Sequence, residues 1–147
     1  MPPALRSGGS GWQIKLHKLI VSYKKCFMKL FKSFVYACNG LKICFISETN
    51  FKIHIFLAAA AILLGIVVNI STSEWEVIIL CIALVISLEM LNTAVEKLCN
   101  VVTKEIHPAI KKVKDIAAGA VLLSAIASFI IGGIIFLPKI ILFIKTF

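Results

Sequence analysis

The sequence predicts an all-α integral membrane protein, with one amphipathic surface helix followed by three transmembrane helices. The chain of 147 residues is 60% hydrophobic with a mean hydropathy of +1.00, yet it carries a formal charge of +9, a balance foreign to a small soluble domain. Three apolar stretches approach the ~20 residues needed to cross a bilayer. One such stretch alone would suit the buried helix of a soluble protein, but three leave too little polar chain to cover them.

Residues 1–11, "MPPALRSGGSG", lack the apolar core of a cleavable signal peptide and are expected to form a disordered tail. Residues 12–147 are expected to form a single membrane domain. Over about 12–47, apolar residues (Leu16, Leu19, Ile20, Tyr23, Phe27, Leu30, Phe31, Phe34) recur at helical spacing with lysines between them, the pattern of a basic helix lying on an anionic membrane surface. Asn39-Gly40 is a candidate turn within it. Transmembrane helices are expected at about 51–70, 77–95 and 116–137. Gly132 and Gly133 in the last of these suit close helix packing.

Basic residues orient the spans, because Lys and Arg collect on the cytoplasmic side. Nine lie between the N-terminus and Lys52, five lie between Lys97 and Lys114, and "STSEWE" (71–76) has none. The N-terminus and the 97–115 connection are therefore expected in the cytoplasm and the C-terminus outside, with Lys139 and Lys145 snorkelling to the headgroups. The five cysteines form no CxxC pair and are expected to be buried free thiols. His54, in "FKIHIF", is expected to be an interfacial packing residue.

Polar residues inside the second span point to chemistry. Glu89, Asn92, Glu96 and Asn100 fall within an arc of roughly 80° on one helical face. Glu48 lies just before the first span, at the same depth and on the same side. An ionisable residue central in a span costs about 2.5–3.5 kcal/mol by insertion scales, so it usually faces a polar cavity and acts there. Pairing of Glu89 or Glu96 with Lys97 or Lys52 is the structural alternative. Hard carboxylate oxygens hold Mg²⁺ together with phosphate oxygens, and a metal-free carboxylate can deprotonate a hydroxyl. The set suits phosphoryl transfer to a lipid alcohol, although neither GxxxxGK[ST] nor the protein-kinase elements occur. An ion-coupled carrier or channel subunit would use such carboxylates to line a pathway.

"EMLNTAVEKLCN" (89–100) resembles the "ELLNTA(I/V)E" signature of the prokaryotic diacylglycerol kinase family. The resemblance continues through "FKSFVYACNGLK" (31–42), "SETNFKIH" (47–54), "KEIHPAIKKVKDIAAGAVLL" (104–123) and "IIGGIIFLPK" (130–139). "ETNFKIH" and "GGIIFLPK" look most like the Gram-positive branch, whose members act as undecaprenol kinases. The resemblance implies a homotrimeric bundle in the bacterial plasma membrane, with sites built between subunits. It implies transfer of the γ-phosphate of MgATP to undecaprenol, or to diacylglycerol as the alternative, with no nucleic-acid partner. By the same resemblance Glu89 is the general base, Glu48 and Glu96 hold Mg²⁺, and Asn92 orients a carboxylate or the substrate hydroxyl. Lys29, Tyr36, Glu105, His107, Lys114 and Asp115 are then expected at the nucleotide. The chain departs from the family pattern at Asn100, where Asp is usual, and at Lys29 and Lys52, where Arg is common.

Overall fold

The computed structural model describes residues 10–103 and 107–145 and, among them, shows four helices and no strand. These are α1 (Ser10–Ser47), α2 (Thr49–Val67), α3 (Thr72–Val102) and α4 (Pro108–Lys145). The last three are long and apolar enough to cross a membrane. The expected tail, apart from Ser10 and Gly11, and Glu105 lie outside the described residues. The chain divides into two compact units, Met1–Lys42 and Ile43–Phe147.

In the first unit α1 is a single amphipathic helix. At 100° per residue Trp12, Leu16, Leu19, Ile20, Tyr23, Phe27, Leu30, Phe31 and Phe34 share an arc of roughly 120°, and Lys15, Lys18, Lys25, Lys29 and Lys32 fall on the opposite side. The helix runs unbroken through Asn39-Gly40, which corrects the expected turn. Neither residue takes a positive φ, and a helical Gly costs only about 1 kcal/mol, which the flanking helical turns absorb. Cys26 and Cys38 are exposed, correcting the expectation that all five thiols are buried. They belong to a unit whose described part is one helix, and a lone helix has no interior. Cys44 and Cys99 are buried, and Cys81 is half-buried.

In the second unit α3 is the most enclosed helix. Its buried residues Ile78, Val85, Glu89, Asn92 and Cys99 follow one another at intervals of seven, four, three and seven, so one stripe is covered along its length. α2 starts after Glu48, a single extended residue (φ −113°, ψ 119°) that separates it from α1. α2 ends through Asn69, whose φ of 54° is left-handed, a conformation Asn tolerates better than most residues. The amides of Val68, Asn69 and Ile70 donate back to Leu64, Ile66 and Gly65, satisfying the final carbonyls.

Ser71 then caps α3. Its hydroxyl accepts from the Glu74 amide at 3.4 Å while its own amide donates to Glu74 Oε2 at 2.6 Å, a reciprocal capping box. Lys139 from α4 lies 3.3 Å from the same Glu74 oxygen. Beneath this end Ile70, Ile78 and Phe136 form a core, with Leu64, Trp75 and Ile140 packed against it. Gly65 is needed here for close approach, since a Cβ would lie 2.9 Å from the Trp75 ring and 3.0 Å from Ile70 Cδ1.

Candidate active site

The stripe of α3 turns polar toward its C-terminal end. Glu89 is 3% exposed, Asn92 8% and Thr93 3%, while Glu96 is half-buried. The Asn92 side-chain amide donates to Glu96 Oε1 at 3.4 Å, the i, i+4 spacing that brings side chains together on a helix. Asn92 Oδ1 is buried without a partner. An unsatisfied buried acceptor costs about 1–3 kcal/mol, so a stable fold keeps few of them. No hydrogen bond within the described residues holds the Glu89 carboxyl group either.

Glu48 reaches the same region from the α1–α2 junction. The Ser47 hydroxyl donates to Glu48 Oε1 at 2.7 Å, and the Lys97 ammonium from α3 lies 3.3 Å from that oxygen and 3.2 Å from Ser47 Oγ. The Ser47 hydrogen bond is the main cause that holds the Glu48 carboxyl below the usual carboxylate range. Partial burial opposes it, and the bond and charge of Lys97 add to it. Lys97 therefore pairs with Glu48 and not with the span carboxylates, while Lys52 donates to the Ile46 carbonyl at 3.3 Å. Through Lys97 the α1–α2 junction that carries Glu48 is tied to the polar stretch of α3 that carries Glu89, Asn92 and Glu96.

Beside them a groove of about 550 Å³ runs between α2, α3 and α4. Ile78, Ile82, Val85 and Ile86 form its α3 wall, Ala125, Gly132 and Gly133 line its α4 side, and His54 is one of its few polar residues. The wall leads one helical turn on to Glu89. The apolar groove and a buried carboxylate therefore share one helix, a single turn apart along the chain.

The remaining expected site residues are placed as follows. Lys114, near the start of α4, donates to Asn100 Oδ1 at 2.7 Å, closing the α3–α4 hairpin. Asp115 is exposed beside it. His107 caps α4, its Nδ1 accepting from the Ala109 amide at 3.3 Å and its carbonyl from the Lys111 amide at 3.0 Å. Glu105 lies outside the described residues. Lys29 and Tyr36 are exposed on α1 in the first unit. Ser47, which bonds Glu48, and His54, which lines the groove, were not among the expected site residues, and Lys97 pairs with Glu48 where the structural alternative set it against Glu89 or Glu96. Adjacency to Glu48 was the only signal for Ser47, and His54 had none, because its position depends on how α2 packs on α3.

Among the described residues no three His, Cys, Asp or Glu side chains form a cluster able to hold a metal by themselves. The donors present, Glu48 and Glu96, fit a cation that takes one or two carboxylates and completes its shell with phosphate oxygens and water.

The family model described as prokaryotic diacylglycerol kinase matches residues 35–136. The chain is 45% identical over 111 residues to an undecaprenol kinase of Bacillus subtilis, covering 76% of this chain and 90% of that one. It is 41% identical over 110 residues to a diacylglycerol kinase of Synechocystis, covering 74% and 63%, and 35% identical over 102 residues to one of Helicobacter pylori, covering 69% and 80%. With its three spans and its buried carboxylate, the chain belongs to the prokaryotic diacylglycerol kinase family and is a membrane lipid kinase that uses ATP.

Proposed function

We propose that the acceptor is undecaprenol and that Glu89 is the general base. The observation that carries this is an apolar groove whose α3 wall comes within one helical turn of Glu89, a buried carboxylate with no hydrogen bond among the described residues. A lipid alcohol with its chain along Ile78, Ile82 and Val85 brings its hydroxyl to Glu89. The carboxylate takes the hydroxyl proton, the oxygen attacks the γ-phosphorus of ATP, and the bond to the β–γ bridging oxygen breaks to release ADP. Asn92 Oδ1, buried without a partner, is available to accept from the substrate hydroxyl while its amide steadies Glu96.

Glu48 and Glu96 would hold Mg²⁺, which neutralises phosphate charge. Lys97 balances Glu48 until the cation arrives. The family resemblance supports a nucleotide role for Glu105, His107, Lys114 and Asp115, and likewise for Lys29 and Tyr36. The charge pattern supports a cytoplasmic N-terminus, an extracytoplasmic C-terminus and a bacterial plasma membrane. Assembly as a homotrimer accounts for how so short a chain would enclose two substrates.

Identity to the Bacillus subtilis undecaprenol kinase supports this acceptor, and the diacylglycerol kinases among the relatives support the second reading, diacylglycerol. Purified protein in lipid, given MgATP and each alcohol in turn, is expected to phosphorylate undecaprenol at least ten times faster, on the order of one lost binding contact or more. Faster phosphorylation of diacylglycerol would replace the first reading with the second.

A further inference from the structure

Two lysines at this end of the α3–α4 hairpin are held by different chemistry. Lys97 lies against the Glu48 carboxylate, so its charge is matched. Lys114 is half-buried and donates to an amide oxygen, Asn100 Oδ1, at 2.7 Å. Among the described residues no carboxylate lies within ion-pairing distance of Lys114. A bond this short from an ammonium is charge-assisted and directional. It orients the cation without cancelling it.

Lysine reaches its target on a flexible four-carbon stem and loses much rotamer freedom when it is fixed. A tether formed before substrate arrives removes part of that ordering cost from the binding step. Asn100 stands in the last turn of α3 and Lys114 in the second turn of α4, so the bond spans the loop and sets the ammonium against two rigid helices. Asp, which the family resemblance leads one to expect at position 100, would keep the tether and neutralise the pair. An apolar residue would keep the charge and lose the tether.

We propose that Asn100 is a positioning residue for the nucleotide, its neutral amide holding the Lys114 ammonium as an oriented positive charge for the polyphosphate of ATP. This rests on the placement of Lys114 at the nucleotide proposed above. The test is steady-state kinetics of the full chain in mixed micelles with saturating undecaprenol, varying MgATP at low and high salt. Asn100→Leu, at an exposed position of similar volume, is expected to raise KM for MgATP about fivefold, with the effect falling on KM more than on kcat. Asn100→Asp is expected to raise it about threefold at low salt and to flatten its salt dependence, because the charge that salt screens has been cancelled. Lys114→Met is expected to raise it about tenfold or more. A raised KM in Lys114→Met beside a wild-type KM in Asn100→Leu would overturn the positioning role alone. A wild-type KM in Lys114→Met would overturn the nucleotide placement and the proposal together.

Discussion

α3 carries carboxylates at both ends, and the two ends use them differently. At the N-terminal end Glu74 closes a capping box with Ser71 and meets Lys139 from α4, so each interaction it makes serves the fold. Toward the other end Glu89 is almost fully buried with no hydrogen bond among the described residues, and Asn92 on the same face keeps an acceptor unpaired there. Partnered charge at a helix terminus is ordinary stabilisation. Unpartnered charge within a span costs the fold, and the cost is recovered only when a substrate supplies the missing partner. The contrast sets a carboxylate that serves the fold against one proposed to serve catalysis on the same helix.

Glu89→Gln gives the sharpest test. It keeps shape and removes the base, so transfer is expected to fall by at least about 10²-fold while MgATP still binds. Transfer near the wild-type rate would erase the distinction between the two ends. Glu48→Ala or Glu96→Ala should raise the Mg²⁺ needed for half-maximal transfer by about tenfold or more, a loss that even outer-sphere partners of metals produce. An unchanged requirement in a Mg²⁺ titration would take both residues out of the metal site.

The structural end should respond in stability and not in turnover. Gly65→Val forces a side chain against Trp75 and Ile70, and overpacking of this kind costs about 1–3 kcal/mol. Thermal unfolding in detergent should show the loss, with transfer per folded molecule preserved. A fall in turnover without a fall in Tm would mean that this end reaches the chemistry.

Two smaller effects sharpen the comparison. Glu48 has its carboxyl held below the ordinary range, chiefly by Ser47, so it stays charged to lower pH than a free carboxylate. The stability it contributes is full above the ordinary value and is lost as pH falls through its lowered value in the folded state. Ser47→Ala should move the acid limb of Mg²⁺-dependent transfer to higher pH, and an unmoved limb would deny Glu48 a role as carboxylate. Glu74→Gln should have the least effect, lowering Tm by less than about 5 °C with turnover unchanged. Loss of transfer in that variant would contradict the division of labour.

Much of this was legible in the chain because membrane physics is read from local composition. A bilayer accepts only segments that satisfy their own backbone, so apolar runs of span length declared helices. The 3.6-residue period likewise set Glu89, Asn92 and Glu96 on one face before any fold was known. Local signals misled where a residue type permits more than one conformation. Asn39-Gly40 suits a turn and also tolerates a helix, and α1 continues through it. Cys26 and Cys38 have an apolar character that says nothing about whether a second surface exists to bury them.

By itself the sequence determined the helical membrane class, the family and the stripe of polar residues on α3, since each depends on spacing along one segment. Only the tertiary structure decided that Lys97 pairs with Glu48, that His54 of α2 lines one apolar groove with residues of α3 and α4 and that Asn100 holds Lys114. Those facts join residues 14 to 49 positions apart or helices of separate segments. A one-dimensional period fixes a face on one helix, whereas packing decides which face it meets.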